Sequence, residues 1–185
     1  MRTHLWLQAA ILACLATPAL AQAPKPPAHP PARPSTQANE PKKLGSFGDW
    51  TAATHQEAGA EVCYAFTKAA RSVPTLPGRE DVMLTVTERP TGRDEVALSA
   101  GFAYASGATV TVQVDQIGLD FYTAVPQPGR NAFARDGKAA VAAFQKGSSA
   151  LARSPGPRNT AIVDTFNLRG FSAAYAAINH ACPPK

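Results

Sequence analysis

Histidine and cysteine are scarce in this chain, four and three residues of 185, and that scarcity narrows its chemistry. Once an N-terminal segment considered below is set aside, the histidines are His29, His55 and His180, so few positions could hold a general base. A nucleophile elbow needs Gly-x-Ser-x-Gly. Gly170-Phe171-Ser172 starts that way but continues Ala173-Ala174, so the elbow of an α/β hydrolase is missing. Neither Gly-x-x-x-x-Gly-Lys nor Gly-x-Gly-x-x-Gly occurs, and with them go the loops that cradle nucleotide phosphates; no cofactor is indicated. No run approaches the roughly 20 apolar residues that cross a bilayer as a helix.

What is present begins with an export signature. Arg2 gives a positive start, Leu5 to Leu15 is largely apolar, and Ala19-Leu20-Ala21 is a small-x-small cleavage site before Gln22, which together read as a secretory signal over 1–21. Cys14 leaves with it. Cys63 and Cys182 then remain as an even pair in an oxidising compartment, most simply one structural disulfide. Two alternatives stay open. Cys14 after Leu12-Ala13 could be a lipid-anchored cysteine, although the apolar stretch before it is short. His180 with Cys63 and Cys182 could hold a metal, but zinc takes four protein ligands, or three plus water.

The formal net charge of +5 raises the question of nucleic acid, and its location answers it. Lys25, Arg33, Lys42 and Lys43 against Glu40 place +3 on residues 22–43; Arg2 accounts for one more, leaving +1 for 44–185. A near-neutral domain without basic and aromatic interleaving excludes nucleic acid as the expected partner. Seven prolines in 24–43 and almost no large apolar side chains make 22–43 an extended Pro-rich linker. It reads first as a solvated spacer, and second as a basic tether for anionic envelope polymers or headgroups.

From Leu44 onward, short segments of period two are separated by Gly and Pro. Strands are expected over 44–54, 61–68, 81–88, 95–104, 108–114 and 119–123, and a hairpin over 149–153 and 158–168. In 81–88, Val82, Leu84 and Val86 share one face; in 158–168, Ile162, Asp164, Phe166 and Leu168 do. Two helices break the rhythm. Gly137 to Gln145 follows Asp136 as N-cap, is closed by Gly147, and turns Val141 and Phe144 inward. Over 170–182, Phe171, Ala174, Tyr175, Ile178 and Cys182 form one stripe. The expected fold is mainly β: an antiparallel β-sandwich with two short covering helices, one of them C-terminal.

The charged strings Arg79-Glu80-Asp81 and Arg93-Asp94-Glu95 flank turns and read as solvated strand ends. Evenly spread aromatics read as core. No catalytic, metal or cofactor-binding residue is singled out. A periplasmic hydrolase working on glycans or peptides through two acids brought together by the fold is the alternative function.

Phe47-Gly48-Asp49-Trp50, then Val62-Cys63-Tyr64-Ala65, Lys146-Gly147 after an Ala-rich helix, and Asp164-Thr165-Phe166-Asn167-Leu168-Arg169-Gly170-Phe171-Ser172-Ala173-Ala174 with a final Cys182 resemble, in order, the invasion associated locus B family of exported proteobacterial proteins. The resemblance covers 44–182, and the absence of further cysteines near Trp50 is similar to a shorter, two-cysteine branch. It implies a periplasmic or surface-exposed β-sandwich without known catalysis, an envelope or host-surface partner, and, for founding members, a link to bacterial entry into host cells. It supplies no catalytic residues.

Overall fold

The alternation seen in the sequence becomes one inner and one outer face. In the computed structural model, residues 40–124 and 129–184 are described; the expected signal segment 1–21, Cys14 and all but the end of the expected linker lie outside them. Among the described residues eleven strands form one antiparallel sheet. They are β1 (Lys42–Phe47), β2 (Trp50–Glu57), β3 (Ala60–Lys68), β4 (Arg71–Val73), β5 (Met83–Arg89), β6 (Gly92–Ser99), β7 (Thr109–Val114), β8 (Ile117–Thr123), β9 (Asn131–Ala134), β10 (Ser149–Pro155) and β11 (Ala161–Asn167). Helices α1 (Gly137–Lys146) and α2 (Phe171–Ala181) complete the fold.

The order across the sheet is β1-β2-β3-β5-β6-β9-β8-β7-β10-β11-β4. Three residues after β3, which is third in that order, the chain starts β4 at the far edge, so the sheet must fold back on itself. The connection shows where. Ala69 N–H donates to the Val82 carbonyl beside β5 (2.9 Å), and Ala70 N–H donates to Thr165 in β11 (2.8 Å). The expected mainly β fold with two covering helices is therefore present, its layers supplied by a single folded sheet. Inner positions such as Leu84, Val86, Val96, Val110, Val112, Phe121, Ala150 and Phe166 are buried in one core, while their odd-numbered or even-numbered neighbours face outward.

Both helices form where capping and spacing direct them. The Asp136 side chain accepts the Ala139 N–H (2.9 Å), and Gly147 N–H closes α1 on the Ala143 carbonyl (2.9 Å). Val141 and Phe144 are buried from α1, as are Phe171, Ala174 and Ile178 from α2.

Several segments differ from the sequence reading. The single strand expected over 44–54 is a hairpin: β1 and β2 turn through Gly48-Asp49, with Gly48 at φ +59°. β6 stops at Ser99 instead of running to Tyr104. β4 and β9 were not expected at all; three or four residues are too short to show a period. Arg79 is not a solvated strand end. Its guanidinium grips Asp164 through two bonds of 2.8 and 2.7 Å, donates to the Ala100 carbonyl (2.7 Å) and lies over Phe102. Asp164 occupies an inward position of β11 and is fully buried, and a buried carboxylate requires such a partner.

The Gly48 turn seats on the turn before α2. Thr67 Oγ1 donates to the Asp49 carbonyl (2.9 Å), Asn167 Nδ2 to Asp49 Oδ2 (2.6 Å) and Trp50 Nε1 to the Asn167 carbonyl (3.0 Å). Gly170 has φ +93°, and a Cβ there would collide with the Phe47 carbonyl. Gly170→Ala is therefore expected to cost about 2–4 kcal/mol, combining a left-handed non-glycine residue with a clash at backbone. The measurement is urea unfolding, with a lowered midpoint at unchanged slope; an unchanged midpoint would mean that this joint does not hold the fold.

Candidate functional site

Cys63 and Cys182, the two site residues singled out in the sequence, are joined by a disulfide with Cα atoms 6.0 Å apart. Cys63 lies on an inward position of β3 and is fully buried, while Cys182 is the C-cap residue of α2 and half-buried. Beside this bridge is a cleft of about 460 Å³ lined by Ala60, Glu61, Pro90, Arg93, Cys182 and Pro183, among others.

A polar cluster lies behind the cleft. Glu88 is directly across the strand pair from Cys63 and is fully buried. Arg93 Nε meets its Oε2 at 2.6 Å, and the backbone N–H of Asp94 reaches the same oxygen at 3.3 Å. Glu88 Oε1 has no hydrogen-bond partner within the protein. Arg93 also donates from Nη1 to the Cys182 carbonyl (2.7 Å) and from Nη2 to Asn179 Oδ1. Asp94 Oδ1 accepts the Tyr175 hydroxyl (2.5 Å), and Asn179 Nδ2 donates to the Tyr175 carbonyl (3.0 Å). The last two turns of α2 are thus tied to the sheet by one covalent bond and a set of charge-assisted hydrogen bonds.

Electrostatics follow from burial. Loss of water pushes the Glu88 carboxyl up to about 7 against the opposing pull of Arg93, and the neighbouring Asp94 charge adds to the rise. Burial, then the Asp94 carboxylate, raise the Tyr175 hydroxyl well above its ordinary value and keep it a donor. Far from this cluster, beside the Arg79–Asp164 pair, burial likewise pushes Tyr104 up to about 12.

The sequence reading of Arg93-Asp94-Glu95 as a solvated strand end holds only for Glu95, which is half-exposed and bonds Arg89. Arg93 and Asp94 are instead spent on Glu88 and α2. Glu88 itself went unnoticed, though its signal was available: Val82, Leu84 and Val86 point inward, and Glu88 is the next residue in that series. Glu88 and Asp94 are two acids that the fold brings together, but Glu88 is fully buried and Asp94 Oδ1 is taken up by the Tyr175 hydroxyl. A glycosidase holds its two carboxyl groups about 5–9.5 Å apart around a sugar. His55 lies in β2 edge-on to Tyr64, and His180 in the last turn of α2, two residues before a Cys182 whose sulfur is bonded to Cys63. Among the described residues no group of three or more His, Cys, Asp or Glu could hold a metal ion, and no helix is long and apolar enough to cross a membrane.

Two measurements test this cluster. Cys182→Ser opens a covalent loop of 119 residues and is expected to cost on the order of 2–5 kcal/mol, read by chemical unfolding under oxidising conditions; reducing agent should then destabilise the parent and leave the variant unmoved. Glu88 binds its proton more tightly folded than unfolded, so its effect on stability is absent below about pH 4.5 and becomes unfavourable as pH rises toward 7. This removes roughly 3 kcal/mol across that window. Melting temperature should therefore rise between pH 7.5 and pH 5.5, and Glu88→Gln should flatten that slope. An equal slope in the variant would assign the dependence to other groups.

The comparisons with known proteins agree with this architecture. A family model described as "Invasion associated locus B (IalB) protein" matches residues 50–179. Among solved structures, the crystal structure of invasion associated protein b from Bartonella henselae is similar, with a TM-score of 0.53 and 22% identity over 75% of this chain and 95% of that one. No curated protein matches the chain.

Proposed function

The chain belongs to the invasion associated locus B family, and from that premise we propose that it is an exported envelope module that works by contact and not by catalysis. The observation that carries this reading is the Cys63–Cys182 bridge, which joins an interior strand to the last helix. A protein that depends on such a bridge belongs in an oxidising compartment. The segment 1–21 supplies the address, and the proline-rich stretch that follows, up to β1 at Lys42, a spacer between the domain and the envelope or host surface.

The residues on which the resemblance rests support a role in contact. Phe47 to Trp50 and Asn167 to Phe171 meet each other in the joint described above, and Cys63 and Cys182 form the bridge. What these strings form in this chain is a frame, which leaves the outer sheet faces and loops free to present a surface.

Intact mass of the protein recovered from the periplasm, with and without reduction and alkylation, tests this. The expected result is a chain beginning at Gln22 with no alkylatable thiol until reduced. A lipid-modified start at Cys14 would move the protein to a membrane surface, and two reactive thiols without reduction would remove the bridge on which the reading stands.

A further inference from the structure

The ion pairs are unevenly distributed. Lys68, Arg79, Arg89, Arg93 and Arg130 are each paired with a carboxylate. Arg71, Arg135, Arg153 and Arg158, like Arg169, Lys138 and Lys146, form no ion pair among the described residues, and the first four have register or chain neighbours at one place, which Arg153 itself lines. It is a cleft of about 540 Å³ on the outer face of β7, β10 and β11, lined by Thr109, Thr111, Arg153, Asn159, Ala161 and Val163 together with neighbouring backbone. Among the described residues no acidic one lines it.

Register places the surroundings. Tyr122 is across from Thr109, and Arg135 stacks over the Tyr122 ring at 5.5 Å. On the other side Val73 is across from Val163, and Arg71 is across from Thr165 one outward position further along β11. Tyr122 and Val73 are 43% and 45% exposed, two of the three large apolar side chains most open to solvent among the described residues. Arg153 lends Nη1 to Gln113 Oε1 (3.1 Å), leaving its other donors free. Arg158 and Asn159 both have positive φ, 54° and 59°, so the rim is held in a backbone conformation that side chains other than glycine rarely adopt. The opposing charge is Asp120, across from Thr111; Asp115 lies in the turn at the other end of β7.

Resting on the reading of an exported contact module, we propose that this cleft binds a segment of acidic polysaccharide. Arg153 in the cleft, with Arg158 in the adjoining turn and Arg71 on the neighbouring strand, complements a polyanion. An exposed tyrosine gives a sugar ring a face to lie on, and threonine hydroxyls and an asparagine amide match sugar hydroxyls. Carboxylated polymers of a bacterial envelope and sulfated polymers of a host surface share this chemistry.

The test uses the mature chain and measures binding to polygalacturonate, heparin and neutral dextran, with phosphatidylglycerol vesicles alongside. Binding to one or both acidic polymers but not to dextran is expected, and which polymer is preferred separates the two sources. Arg153→Ala with Arg158→Gly should weaken it at least about tenfold; glycine relieves the positive φ, and a parent-like melting curve checks the fold. Tyr122→Ala should weaken it several-fold at unchanged charge. Lys42→Ala with Lys43→Ala should stay within about twofold, which separates the cleft from the cationic start of β1. Undiminished binding by the Arg153 and Arg158 variant, equal binding to dextran, or binding to vesicles alone would overturn the proposal. A periplasmic chain starting at Gln22 that ignores both acidic polymers would overturn the polysaccharide and leave the export reading intact.

Discussion

The contact on which the rest of the structure depends is the close approach of Gly170 to the Phe47 carbonyl. It allows the turn between β1 and β2 to seat on the turn between β11 and α2, which brings Trp50 to 4.8 Å from Phe171, centroid to centroid. Phe171 in turn meets Phe144 of α1 at 5.6 Å and Tyr175 at 5.7 Å. One aromatic side chain thus joins the first hairpin to both helices, and it can do so only because the residue before it has no Cβ. The disulfide repeats the same long-range closure at the other end of α2. Together they fix an eleven-residue helix that would be marginal alone.

Two buried carboxylates show how differently the fold treats charge. Asp164 has both oxygens engaged by Arg79, whose remaining Nε reaches a backbone carbonyl. Burying an ion pair costs desolvation energy that only excellent geometry offsets, and here the geometry is bidentate. Glu88 has one oxygen engaged and the other without a partner. The first pair fastens the loop before β5 across to β11 and is complete. The second is incomplete, and burial prevails over Arg93 in setting where it takes up its proton.

The sequence was most legible where the signal is local. Asp136 and Gly147 marked both ends of α1, and the spacing from Phe171 to Cys182 gave the face of α2. Alternation in Val82, Leu84, Val86 and in Val110, Val112, Val114 gave strand and facing together. It was illegible where partners are distant. Nothing near Arg79 announces that Asp164, 85 residues away, will need it, and nothing near Arg93 announces the end of α2. The Gly48-Asp49 turn was hidden because two residues between apolar runs leave the period almost undisturbed. The cleft beside Arg153 was equally hidden: a domain net charge near zero says nothing of where its charges sit, and only the strand order places them.

β1 is an edge strand, hydrogen-bonded on one side only, and the chain upstream of Lys42 enters the domain through it. A pull that draws Lys42 away from Thr54 loads this ladder in peeling and not in shear. It opens the β1–β2 ladder from Lys42 and Thr54 toward Phe47, one rung at a time and at low force. The peeling ends at Phe47, where the backbone is wedged under Gly170, and beyond it the covalent loop from Cys63 to Cys182 carries tension without unfolding. The domain therefore has a short extensible lead in front of a stiffer body closed by the disulfide.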